Sequence, residues 1–391
     1  MKWKFLALAL LPLSVAATDY HVAKTGNDTT GSGSEALPFL TIQKASYIAI
    51  VSGDRVIVHA GTYTELVDDA DLGYGDNFTG IGAHADGITF MVADGEAVII
   101  DQTVVATESP PGTWTMNDPT TPPERVVVGF ITDHHDDIVI DGFEIKNAHL
   151  GIRTGNNRSP SAPLPNPDPT GVVSERTVIK NNHIHHINGL GNVAAIDLNK
   201  CLNCEVYDNV LHNVSKVFDG DKFCYDAIEC AGLTANQNTS GILSYRGKEL
   251  DIHHNTIYNA WNGVFHKEAG YDAGEVGAHS GSIHHNIIYD TIFGTSHSVA
   301  GVCDYAHLSA RIYENIFYHV NNDPMEIGIA TSAHDASNPS GLMVIYNNTI
   351  QADTGIFIDA FADSRIFNNV FDMTSSGSTA IGRYEQTPDQ T

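Results

Sequence analysis

Asn199, Lys200, Tyr245, Arg246, His266, Lys267 and His297 are the residues whose types and spacing could do chemistry. Lys, Tyr and His exchange protons, and Arg and Lys neutralise anionic groups. A ruler in the sequence groups them. Asn recurs at 182, 209, 255, 286, 315, 348 and 369, each time three residues after Ile or Val and two before a large apolar residue. If every Asn marks the same corner of a repeating structure, His266 and His297 are equivalent, eleven residues after Asn255 and Asn286. Lys200 and Arg246 lie nine residues before Asn209 and Asn255, and Asn199 and Tyr245 lie ten before. The chain has 20 Lys plus Arg against 47 Asp plus Glu, a net charge of −27, so a basic row stands out from the background. The competing reading is a solvated salt-bridge face, because clustered charges mark sites only statistically. His183, His185, His186, His253, His254, His284 and His285 read as polar exteriors of strands.

A second constellation is acidic. Asp219, Asp221, Asp226 and Glu229 crowd around Gly220 within a repeat stretched to 46 residues. Closely spaced carboxylates suit Ca2+, which takes six to eight oxygen ligands in a flexible geometry, although the spacing is not that of an EF-hand. The alternative is a solvated acidic loop pinned by a Cys224–Cys230 bridge. Cys201-x-x-Cys204 lacks the second pair a zinc finger requires. Disulfides are the expected state of these cysteines, with Cys303 left as a buried thiol.

The elements that must position these residues are short strands. The asparagines are 27, 46, 31, 29, 33 and 21 residues apart. A unit of that length cannot bury its own apolar face and must stack on its neighbours. The repeats are β-rich runs bounded by Asn, Gly and Asp. The ladder asparagines are expected to serve structure, satisfying backbone groups at bends and tolerating left-handed geometry.

Residues 1–17 combine Lys2 and Lys4, an apolar run from Phe5 to Ala16 and a small-residue cleavage pattern, which together predict a signal peptide. A secreted or periplasmic protein follows. Residues 18–391 are expected to form one elongated domain with long loops near 66–130, 156–170 and 216–240. Asp19 to Ala23 reads as a strand, Thr41 as the N-cap of a helix carrying Ile42, Ala45, Ile48 and Ala49, Arg55 to His59 as a strand, and Ala60 to Glu65 as a turn. Val98 to Asp101 is the one clear strand before residue 130. No cap is legible near Tyr384.

The N-terminal segment resembles that of secreted parallel β-helix proteins of the pectate-lyase-like superfamily. The matching residues are Tyr20-His21-Val22-Ala23, Thr25-Gly26-Asn27-Asp28, Pro38-Phe39-x-Thr41-Ile42-Gln43-Lys44-Ala45, Gly53-Asp54-x-Val56 and Gly61-Thr62-Tyr63-x-Glu65. The resemblance implies an all-β, right-handed parallel β-helix with a short N-terminal capping helix. It also implies a polysaccharide lyase that cleaves a uronate polymer by β-elimination. On that reading Lys267 is the base, with its pKa depressed by His266 and Arg246. Arg246 neutralises the uronate carboxylate, and Tyr245 or His297 protonates the leaving oxygen. Lys200, Asn199, Asp197 and Glu268 line the sugar subsites. The motifs around the catalytic Lys and Arg of particular lyase families have no residue-by-residue match here, and Gly263 to Glu268 is a partial echo.

Three other functions fit the same fold. A glycoside hydrolase needs two carboxyl groups about 5–9.5 Å apart, for which Asp197 with Glu268, or Asp219 with Asp226, are candidates. A C5-epimerase would use the same proton abstraction without cleavage. A non-catalytic glycan-binding β-helix is the third, since fold does not fix function. The acidic surface argues against nucleic acid as a partner, and no second apolar stretch approaches membrane-spanning length. The expected partner is an acidic polysaccharide bound by a monomer.

Overall fold

The computed structural model describes residues 16–65, 78–102, 126–133, 135–155, 174–188, 193–214, 217–219, 222–224, 234–235, 239–245, 247–267, 279–298, 309–319, 325, 327–331, 342–358, 363–373 and 377–383. The chain winds as a coil of parallel strands with three faces. The first face is an 11-stranded parallel sheet running from Asp19–Val22 and Arg55–Val58 to Asp363–Phe367. The second and third faces share an 18-stranded sheet, because Thr256–Lys267 and Ile287–Ser298 each bend round the corner between them. The second face includes Glu144–Lys146, His183–Ile187 and Val210–Val214. The third includes Leu150–Thr154, Val193–Asn199 and Thr239–Tyr245. This is the right-handed parallel β-helix the sequence implied.

The repeat fills the interior. Ile140, Ile179, Val206, Ile252, Ile283, Ile312 and Ile345 are buried on the first face, and Ile145, Ile184, Leu211, Ile257, Ile288, Phe317 and Ile350 on the second. Between the two faces runs the Asn ladder. Asn286 is typical: its Nδ2 donates to Ile252 O (2.9 Å), His284 O (3.0 Å) and Asn315 Oδ1 (3.0 Å), while its Oδ1 accepts from the Asn255 backbone N–H (3.0 Å). The side chain thus gives the corner N–H of Asn255 an acceptor and adds donors to carbonyls at the ends of the strands. The left-handed residue is the one before each Asn, such as Asp208 (φ 54°) or His285 (φ 55°), and not the Asn itself. Phe143 occupies the ladder position one turn earlier, and its N–H donates to Asn182 Oδ1 at 3.0 Å.

Glycines mark the corner between the second and third faces. A Cβ on Gly263 would lie 2.4 Å from Gly294 O and 2.5 Å from Ile288 Cγ2, so only glycine lets the turns approach there.

The helix Ile42–Ile48 closes the first turn. Thr41 Oγ1 caps it by accepting from Lys44 N at 3.1 Å. Both oxygens of buried Glu65 accept from the first helical N–H groups, Ile42 N at 2.7 Å and Gln43 N at 2.8 Å.

Three expectations are corrected. Gly61–Tyr63, read as part of a turn, is a strand paired with Val98–Asp101. The segment 66–130, read as a loop, carries the strands Phe78–Gly82 and Thr89–Val92 and most of Val126–Asp133; 66–77 and 103–125 lie outside the described residues. These strands are short and glycine-bearing, so they resemble turns when only local pattern is read. Within 216–240 there is an antiparallel hairpin, Val217–Asp219 against Lys222–Cys224, with Thr234–Ala235 beside it. Residues 1–15 and 156–170, which carry the signal-peptide and Pro-rich expectations, are outside the description. No helix among the described residues is long and apolar enough to cross a membrane.

Candidate active site

The third face positions the predicted residues. Its register pairs Asn199 with Tyr245 and His266 with His297, the two equivalences drawn from the Asn ruler. It also relates the two sets to each other. Tyr245 pairs with Lys267, and Ser244 pairs with His266. Asn199, Tyr245 and Lys267 therefore form one row across successive turns, at strand spacings of about 4.8 Å. Leu198, Ser244, His266 and His297 form the next row.

Alternation along the strand separates these rows. Leu198 belongs to the main core, Ser244 is fully buried and His266 is 1 % exposed, so these three side chains face inward. Tyr245 is half-buried on the outward row, where Asn199 is buried. The backbone N–H of Lys200 donates to Tyr245 O at 2.7 Å, and Lys200 itself adopts φ 51°. Lys267 and His297 are placed by their strand backbones. Arg246 and Glu268 lie outside the described residues.

Asp197 stands two residues before Asn199, on the same outward side. It is buried, and its Oδ2 accepts from Arg153 Nη1 at 2.7 Å. The two residues are register partners on adjacent turns. Burial pushes the Asp197 carboxyl above the usual carboxylate range, and the Arg153 charge opposes that rise. The row continues through Leu243 and Phe265, which pack with Val128, Ile131, Leu150 and Ala194 in an apolar cluster outside the main core. Arg153 was missed in the sequence. Its signal was available: it follows Gly151 by two residues, as Phe265 follows Gly263, and a Cβ on Gly151 would lie 2.4 Å from Ala195 O.

The acidic constellation is only partly described. Asp219 pairs with Lys222 in the hairpin, while Asp221, Asp226 and Glu229 lie outside the described residues. Cys201 and Cys204 form a disulfide across a tight turn, with Cα atoms 6.0 Å apart. Cys224 is in the hairpin, and Cys230 and Cys303 are outside the description. The histidine-rich strand exteriors stack as rings along the coil. Tyr207, His253, His284, Tyr313, Tyr346 and Phe367 form one file with centroids 4.7–5.0 Å apart.

No protein-family model matches the chain, and no curated protein sequence matches it. Solved structures do match. XylC in complex with xylose superposes with a TM-score of 0.52 at 16 % identity, over 89 % of this chain and 70 % of that one. The tailspike protein of an E. coli bacteriophage, in complex with a pentasaccharide, gives 0.51 at 9 % identity, over 84 % of this chain and 58 % of that one. The likeness is one of fold. It agrees with the parallel β-helix described above, and the chemistry of this β-helix must be argued from its own residues.

Proposed function

We propose that this protein is a secreted polysaccharide lyase that cleaves a uronate-containing acidic polysaccharide by β-elimination. The observation that carries the reading is the row Asn199, Tyr245 and Lys267 on three successive strands of one face, beside the buried Arg153–Asp197 pair. A proton-accepting Lys and a phenol in register can serve the two proton transfers of an elimination. The structures of XylC with xylose and of the tailspike with a pentasaccharide put saccharides on proteins of this fold.

In the proposed reaction Lys267 removes the proton from the ring carbon next to the uronate carboxylate. The electron pair left behind forms the ring double bond and expels the glycosidic oxygen. Tyr245 gives that oxygen its proton. Arg246 is assigned to the carboxylate, where a cation stabilises the charge that builds up as the proton leaves. Asn199 and Lys200 hold neighbouring sugars. His266, facing inward, is a positioning residue beneath Lys267.

Asp197 favours a second reading. A buried carboxyl whose proton is held more tightly than usual is suited to a general acid, as a glycoside hydrolase requires. Its ion pair with Arg153 and its burial weigh against direct contact with substrate.

The test is a panel of polyuronates, followed by ultraviolet absorbance of the unsaturated product, with and without EDTA. The lyase reading expects absorbance that Lys267→Ala abolishes. New reducing ends without absorbance would overturn it in favour of hydrolysis, and altered stereochemistry at constant length would favour epimerisation. Glycan binding without turnover, retained in Lys267→Ala, would identify a binding protein. Calcium at Asp219, Asp221, Asp226 and Glu229 is proposed separately, and loss of activity in EDTA restored by Ca2+ would support it.

A further inference from the structure

The second face holds a group of nitrogen and oxygen donors that the proposed reaction does not use. Glu144 lies on Glu144–Lys146, His183 and His185 on the next turn, and His212 on the turn after. One donor atom from each of Glu144, His183 and His185 lies within 4.8 Å of the other two. His185 Nε2 is 3.3 Å from Glu144 Oε1. His183 Nε2 is 2.8 Å from His212 Nε2. These residues occupy the outer surface of the coil, and His183 is exposed.

We propose that Glu144, His183 and His185, with His212 beside them, form a binding site for a zinc-class divalent metal ion.

Donor geometry is the first argument. A tetrahedral metal with bonds of 2.0–2.1 Å sets its ligand atoms about 3.3 Å apart. The His185–Glu144 distance already equals that edge, and the His183–His212 distance is within about half an ångström of it. The remaining separations, up to 4.8 Å within the Glu144, His183 and His185 group, are for side-chain rotation to close on strands that hold the backbone in place.

Donor chemistry is the second. Two or three imidazoles with one carboxylate select Zn2+, Cu2+ or Ni2+ over Ca2+ and Mg2+, which prefer all-oxygen sets. At His183 and His212 two imidazole nitrogens face one another, where a single proton can be shared. A metal ion would satisfy both lone pairs at once. A second donor group among the described residues, Glu205, Asp251 and His253, is different. There His253 Nε2 already meets Glu205 Oε1 at 3.1 Å, and Asp251 meets His284 Nε2 at 2.9 Å, so each imidazole has its own carboxylate.

Lys146 is the competitor. Its Nζ lies 3.7 Å from Glu144 Oε1 and 3.7 Å from Asp101 Oδ2. Metal binding would leave it on Asp101.

The experiment uses the untagged full chain, stripped with chelator and titrated with Zn2+ by calorimetry, and with Co2+ by visible absorption. The expected result is one equivalent bound, with the intense visible bands of tetrahedral cobalt. The His183→Ala/His185→Ala variant should lose that equivalent, and Glu144→Gln should weaken it by about tenfold or more. The Glu205→Gln/His253→Ala variant should bind as wild type. At a fixed zinc concentration the thermal midpoint of wild type should rise by more than that of Glu144→Gln, a readout that does not require the double variant to fold. Absence of binding to wild type, or binding that survives both Glu144→Gln and His183→Ala/His185→Ala, would overturn the proposal.

Discussion

Arg153 Nη1 donates to Asp197 Oδ2 at 2.7 Å between adjacent turns of the third face, and the two side chains are only 1 % and 3 % exposed. An ion pair so thoroughly removed from water is costly to break from one side. Arg153→Met should destabilise the fold by about 3–5 kcal/mol, because it strands a buried carboxyl. Arg153→Met/Asp197→Leu should recover much of that loss, since well-packed apolar residues often replace a buried pair at little cost. Urea unfolding of the three proteins measures both effects. If the double variant were as unstable as the single one, the pair would have a net stabilising role.

The Asn ladder makes a graded prediction. Asn286→Ala leaves the buried N–H of Asn255 without its acceptor and removes the side-chain bonds to the carbonyls of Ile252 and His284, of which the latter keeps the His254 N–H at 3.3 Å. A buried donor left unpaired costs about 1–3 kcal/mol, so the variant should lose at least about 1 kcal/mol. Asn369 ends the described ladder and is only half-buried, so Asn369→Ala should cost less. Denaturation midpoints of the two variants check the order.

Two buried groups should tilt stability with pH in opposite directions. Burial pulls His149 down from 6.5 to about 4, and its Nδ1 accepts from Val127 N at 2.9 Å. Between those values the unfolded chain binds the extra proton, so stability present above pH 6.5 is lost as the pH falls toward 4. Burial pushes Glu65 up from 4.5 to about 7, against the lowering effect of the Ile42 and Gln43 N–H groups. Here the folded chain binds the extra proton, so stability present below pH 4.5 is lost as the pH rises through 7. Each effect is bounded at about 3 kcal/mol. In unfolding curves from pH 4 to 8, His149→Gln should flatten the acidic limb and Glu65→Gln the limb approaching neutrality.

The catalytic row predicts a division of kinetic effects. Tyr245→Phe should lower kcat by about 100-fold or more with KM little changed, because a proton donor acts in the transition state. Asn199→Ala, assigned to binding sugar, should mainly raise KM. Steady-state rates on the preferred polyuronate separate the two. Equal losses of kcat and kcat/KM for Asn199→Ala would move that residue into the chemical step.

Much of this organisation was legible in the chain. The Ile–Asn–Ile spacing predicted stacked short strands because a short β unit with an apolar face has no other way to bury it, and the resemblance of the N-terminal segment implied that they run parallel. The same spacing aligned Asn199 with Tyr245 and His266 with His297, and the register agrees. It did not relate the first pair to the second, since the two offsets were counted in opposite directions from the Asn. The glycine corner supplies that relation, and with it Arg153.

The sequence by itself determined the coil, its N-terminal helix and the pairings of Asn199 with Tyr245 and of His266 with His297, because periodicity and backbone chemistry act locally and repeat. Only the tertiary structure decided what lay across turns. The facing of His266 into the coil, the burial of Arg153 with Asp197 and the meeting of His183 with His212 depend on strand register and on which side of a pleat a residue falls. A shift of one residue reverses that side, and the long repeat between Asn209 and Asn255 leaves the count open until the strands are paired.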